Sequence, residues 1–140
     1  MADFVSAMGI LLTPYCLIMM VIGGFIGLIL GAIPGLSGAM AITIILPLTF
    51  AMDSNVAIAM LIAIWVGSCS GGFIGSILLG IPGTPSSLST CYDGYAMTKK
   101  GEVTKALSAG TVANFMGTVP SILIAMIACP VISKFAVKMG

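Results

Sequence analysis

Residues 80–90, Gly-Ile-Pro-Gly-Thr-Pro-Ser-Ser-Leu-Ser-Thr, carry a dense set of hydroxyl side chains and no charge. Thr84, Ser86, Ser87, Ser89 and Thr90 all follow closely on Pro82-Gly83. A shorter version of the pattern, Ile33-Pro34-Gly35-Leu36-Ser37-Gly38, occurs upstream and supplies Ser37. Proline has no amide hydrogen and its ring blocks continuation of a preceding helix. Glycine then accepts backbone angles that other residues resist. A break of this kind leaves amides and carbonyls unpaired, which an apolar surround tolerates only if protein, water or a ligand pairs them. Two chemistries suit such a place. An anion can be met by helix N-terminal amides and hydroxyls, or a cation by carbonyl and hydroxyl oxygens. The same residues also make ordinary turns whose Ser and Thr cap the next helix. Two similar breaks, each after an apolar run spaced with glycine, weigh toward a binding role.

The elements that hold these breaks are apolar. The 140-residue chain is 59% hydrophobic and 6% charged, against roughly 25% charged in soluble domains. Uncharged stretches cover residues 4–52, 54–92 and 106–133, and a bilayer crossing needs about 20 apolar residues. A soluble domain of this size could not bury so much apolar surface. The composition therefore predicts an all-α integral membrane protein with several spans, whose helices are interrupted at Pro-Gly and open to a re-entrant course.

A short interfacial helix is expected over residues 4–14, and a first span over Tyr15–Ile33. Residues 39–50 are too few to cross, and read as a half-helix or a helix kinked at Pro47. Asp53 and Ser54 offer helix-start chemistry at a membrane surface. The run 56–81 would measure about 39 Å as a helix, so it should tilt, kink or divide near residues 67–72. Residues 91–105 read as the one charged loop, with Asp93 in a loop or cap role. A last span is expected from Ala106 to about Ile127, with Pro120 inside it. Lys99, Lys100 and Lys105 place the 91–105 segment on the cytoplasmic side, opposed by Lys134 and Lys138 beyond the next span. Gly23, Gly27, Gly31 and Gly35, and again Gly67, Gly71 and Gly75, recur every four residues. That spacing lets another backbone approach one helix face, and helix packing is its ordinary use.

Net charge is +1, with no histidine and no arginine. Nucleic-acid binding would want a basic stripe, and the usual zinc and haem ligand is missing. Cys16, Cys69, Cys91 and Cys129 are scattered and form no Cys-x-x-Cys pair, so they read as small packing residues. No acid dyad, Ser–His arrangement or phosphate loop suggests an enzyme, and no organic cofactor is expected. The N-terminus lacks the basic region of a cleaved signal peptide.

Two long segments carry a family resemblance. Residues 23–50, with Pro34-Gly35-Leu36-Ser37-Gly38 and Leu46-Pro47-Leu48-Thr49-Phe50, form the first. Residues 71–107, with Ile81-Pro82-Gly83-Thr84-Pro85, Ser87 and Thr90, Asp93-Gly94 and Lys100-Gly101-Glu102, form the second. Both resemble the large membrane subunit of the tripartite tricarboxylate transporters, the TctA family. Gly80 and Ala96 stand where that family often has asparagine and proline. The resemblance implies that residues 1–140 are the N-terminal portion of a permease domain, multi-pass in a bacterial inner membrane. It further implies a secondary importer of tri- or dicarboxylates such as citrate, driven by Na+ or H+. A small membrane subunit and a periplasmic substrate-binding protein would be its partners. Gly35, Ser37, Thr84, Ser87 and Thr90 are the expected substrate- or ion-binding residues, with Pro34, Pro82 and Gly83 shaping the backbone. Two rivals remain at this point. One is a non-transporting remnant or scaffold of a truncated permease. The other is a channel-forming subunit, for which no charged ring is evident.

Overall fold

The computed structural model describes the backbone of residues 8–139; at Pro85, Ile127, 129–131 and 133–139 only the backbone is described. Residues 4–7 of the expected interfacial helix lie outside the described residues, and residues 8–11 are helical. The chain divides into two units, Met1–Ala106 and Leu107–Gly140.

In the first unit, α1 spans Pro14–Ala32, with Pro14 in the first turn where its missing amide is no loss. It stops because Ile33 takes an extended conformation ahead of Pro34. Helix α2 spans Gly38–Thr49 and contains Pro47. It is the half-helix that its length implied, starting after the first break. Helix α3 spans Ser54–Leu79 without interruption. The division considered near residues 67–72 does not occur, because those glycines are spent on packing. Asp53 does occupy the N-cap of α3, yet its side chain makes no capping bond.

The glycine ladders join α1 to α3. A Cβ on Gly23 would come within 2.9 Å of the Met60 carbonyl oxygen. One on Gly27 would strike the Ile64 backbone, and one on Gly31 the Ser68 backbone. In return, Gly67 lies on Gly24 and Leu28, Gly71 on Leu28 and Gly31, and Gly75 on Ala32. Both series ascend together, so α1 and α3 run parallel and touch backbone to backbone. Helix α2 returns the chain in the opposite sense. Gly38 meets Trp65 and Ser68, and Ala41 then joins Met60 and Ile64 in a buried cluster. Cys16 packs with Val56 and Ala59 near the other end of the pair. It fills the small-residue role expected of the cysteines, whereas Cys69 is exposed and Cys91 half-buried.

The polar stretch after the second break corrects the sequence reading. Residues 91–99 are not loop but belong to α4, Leu88–Lys99. Asp93 lies exposed within this helix and neither caps it nor sits in a loop. Helix α4 is held from outside itself. Its Thr98 hydroxyl donates to the Ile77 carbonyl at 2.8 Å, meeting one of the acceptors that the end of α3 leaves open. Gly94 abuts Ile77, and the Tyr95 ring covers Gly80. Helix α4 closes in a Schellman motif, with Glu102 N–H donating to Met97 and Gly101 N–H to Thr98. Gly101 takes φ 80°, as that motif requires. Only residues 100–102 separate it from the next helix, where Lys105 pairs with Glu102 at 2.7 Å in exposed surroundings.

Helix α5 runs Val103–Met139, starting earlier and continuing further than the expected span. Its 107–139 part makes up the second unit, and the helix passes through Pro120 without a break. Among the described residues, three helical segments are long and apolar enough to cross a bilayer: Pro14–Ala32, Ser54–Leu79 and Val103–Met126.

Candidate functional site

The first break is a tight turn. Leu36 N–H donates to the Ile33 carbonyl at 3.2 Å, and Gly35 has φ 90°. With Pro34 and Gly35 at the two central positions, this is the arrangement of a type II turn. Pro34 and Gly35 are exposed, and Leu36 and Ser37 are half-buried. Ser37 is the N-cap of α2, its hydroxyl accepting from Met40 N–H at 3.4 Å. That distance is beyond the 2.7–3.2 Å of a good N–H···O bond. The capping role foreseen for such residues is therefore real but loose. The first amides of α2 have no partner within the helix, so this break presents donors.

The second break is built differently. Gly80 ends α3 in the left-handed conformation, φ 68°, its N–H donating to the Ser76 carbonyl. Glycine adopts that conformation without strain. The chain then folds back along α3. A Cβ on Gly83 would lie 2.9 Å from the Gly31 carbonyl oxygen and 3.2 Å from the Gly72 Cα. A Cβ on Gly72 would in turn meet the Thr84 side chain at 3.2 Å. The close approach of Gly83 brings Thr84 onto the glycine face of α3.

A 3-10 turn, Pro85–Ser87, follows. Ser87 is buried, and its hydroxyl reaches back to accept from Thr84 N–H at 3.2 Å, half of a capping box. It also donates to the Thr84 carbonyl at 2.8 Å. Ser76 of α3, fully buried, stands 2.8 Å from Ser87 Oγ and 2.8 Å from the Gly72 carbonyl. Two hydroxyl protons therefore serve three oxygen–oxygen contacts, and the knot is rich in acceptors. Thr84 Oγ1 adds a contact of 3.1 Å with the exposed Ser86 hydroxyl. Thr90 is half-buried in the first turn of α4 and makes no side-chain hydrogen bond among those described.

The two breaks thus rest on one stretch of α3. Gly38 touches Ser68, Gly83 and Thr84 touch Gly72, and Ser87 touches Ser76. Gly31 lies against both Ser68 and Gly83. Ser37 is not joined to the Thr84–Ser87 knot by any described hydrogen bond. Sequence reasoning missed Ser68 and Ser76. Their spacing with Gly72, four residues apart on one helix face, was the available signal. Among the described residues, no group of three or more Cys, Asp or Glu side chains could hold a metal ion.

A 52.8 kDa uncharacterized protein of Agrobacterium vitis, from the TAR-I ttuC' 3'region, is 31% identical over 129 residues. The match covers 92% of this chain and 26% of that protein, so the chain spans about a quarter of the relative's length. No solved structure matches. The profile of the "Tripartite tricarboxylate transporter TctA family" matches residues 17–140, taking in both breaks, both ladders and α4. Carrying that match over nearly its whole length, the chain belongs to the tripartite tricarboxylate transporter TctA family.

Proposed function

We propose that this chain is the N-terminal portion of the membrane permease of a secondary, binding-protein-dependent importer. Its substrates are tri- or dicarboxylates such as citrate, and Na+ or H+ drives uptake across a bacterial inner membrane. A small membrane subunit and a periplasmic substrate-binding protein complete the system. The observation that carries this reading is the chemical contrast between the breaks. Unpaired amides at the start of α2 suit a carboxylate, and the acceptor-rich Ser76–Thr84–Ser87 knot suits a small cation or a shared proton. A channel would need no such pairing of opposite chemistries.

Uptake of radiolabelled citrate into membrane vesicles tests the proposal, using the permease containing this segment together with its partner subunits. Uptake should require the binding protein and an imposed sodium or proton gradient. Thr84→Val should slow it several-fold at unchanged membrane abundance, since one hydrogen bond of about 1 kcal/mol is removed. Uptake that persists at parent rate without any gradient would favour a channel, and complete absence of citrate uptake would favour a scaffold.

A further inference from the structure

The most unusual polar atom among the described residues is the hydroxyl of Ser68. Its residue is fully buried, and Oγ has no hydrogen-bond partner. Serine within a helix can donate to the carbonyl four residues back, as Ser76 does to Gly72. Ser68 does not. Its oxygen points instead to the first residue of α2, 3.3 Å from where a Cβ on Gly38 would lie. The place is deep within α3, about 21 Å from its start and about 16 Å from its end at the helical rise. An unpaired hydroxyl there is unfavourable, and buried polar groups of this kind call for a reason.

The reason lies in what surrounds it. Near the end of α1 a Cβ on Gly31 would strike the Ser68 backbone, and after the break the chain re-enters helix at Gly38 beside the Ser68 hydroxyl. The break therefore arches over Ser68. The N-terminus of α2 supplies unpaired amides and the positive end of a helix dipole. Building on the importer reading, we infer that Ser68 Oγ and the first amides of α2 together bind a carboxylate group of the substrate. The hydroxyl donates to one carboxylate oxygen, and the amides around Gly38 and Ala39 meet the charge. Access is from the exposed Pro34–Gly35 side. It requires that the start of α2 lift away from Trp65 and Ser68, where its single side-chain cap is the 3.4 Å bond from Met40 to Ser37 and Ala41 packs on Met60 and Ile64. Gly38 is the lid, and the absence of a side chain there keeps it thin.

The site has its own reporter. Trp65, the one tryptophan of the chain, has its ring edge 3.0 Å from the same Gly38 Cβ position. The permease containing this segment, in lipid nanodiscs and titrated with citrate, should show a saturable change in the emission that Trp65→Phe removes, matched by equilibrium dialysis of radiolabelled citrate. The trimethyl ester of citrate, which has no charge to offer the amides, should give none. Ser68→Ala should weaken citrate binding at least tenfold. Its thermal midpoint should stay unchanged or rise, because an orphaned polar atom has been removed. Ser121→Ala, which deletes an exposed hydroxyl of α5, should bind as the parent does. A Ser68→Ala chain that binds citrate with parental affinity overturns the inference, as does one that melts lower and binds normally, which marks a packing role. A parent chain without a saturable citrate response overturns it too. None of these outcomes touches the importer reading, which stands or falls on vesicle uptake.

Discussion

The two Pro-Gly breaks look alike in sequence and do opposite things in the structure. The first is an exposed turn that ends in a helix start, and what it presents is N–H donors. The second folds back against α3, buries Thr84 and Ser87, and gathers more oxygen acceptors than there are protons to share. The difference comes from the residues around each Pro-Gly pair rather than from the pair itself. After Pro34-Gly35 a single serine leads into an apolar helix. After Pro82-Gly83 a second proline and two serines tighten the chain into a 3-10 turn that buries Ser87 and leaves Ser86 exposed. A shared motif has been given two chemical signs.

Single substitutions test that contrast, in order of expected effect. Gly83→Ala should be the most damaging, by about 3 kcal/mol, since the new methyl meets the Gly31 carbonyl and Gly72 with no soft side chain to yield. The lowered thermal midpoint in detergent, followed by circular dichroism, measures it. Ser87→Ala should follow at about 2 kcal/mol, because it strands the buried Thr84 amide and removes the Ser87 contacts with Ser76 and the Thr84 carbonyl. Faster hydrogen exchange at the Thr84 amide would locate that loss. Gly35→Ala should lose about 1.5 kcal/mol from backbone strain alone, as φ is 90° and nothing lies near the added methyl. Ser37→Ala should be mildest, about 0.5 kcal/mol, at the low end for a helix cap because its bond is long. If the Gly35 and Gly83 variants melted together, the claim that one break is exposed and the other packed would fail. If Ser37→Ala exceeded Ser87→Ala, the burial of the second knot would be wrong.

Much of this was legible in the sequence, for identifiable reasons. Helices α1 and α3 announce themselves by uninterrupted apolar runs, and α2 by a run too short to cross. Their packing was foreshadowed by four-residue glycine spacing. Helix α4 was not legible, because its support is tertiary: Thr98 bonds to α3, and Gly94 and Tyr95 fit against Ile77 and Gly80. Polar composition alone suggested a loop, although Gly101 was a fair sign of a helix end. In the site, Ser37, Thr84 and Ser87 stood out by sitting next to Pro-Gly. Ser68 and Ser76 did not, since within an apolar run a serine looks like one more small packing residue. Only the direction of each hydroxyl separates Ser76, which is satisfied, from Ser68, which is not.

The seam between α1 and α3 limits how this part of the chain can move. Along it, Gly23, Gly27 and Gly31 meet the backbone of Met60, Ile64 and Ser68, and Gly67, Gly71 and Gly75 answer from the other side. A slide of one residue would drive a full side chain into the opposing backbone. The next register that restores glycine to the contact lies four residues away, about 6 Å along the axis. The seam thus behaves as a ratchet with coarse teeth and admits no gradual slippage. The two helices act as a single strut, and any rocking of their neighbours is forced onto the points where the chain leaves it, at Pro34-Gly35 and between Gly80 and Gly83.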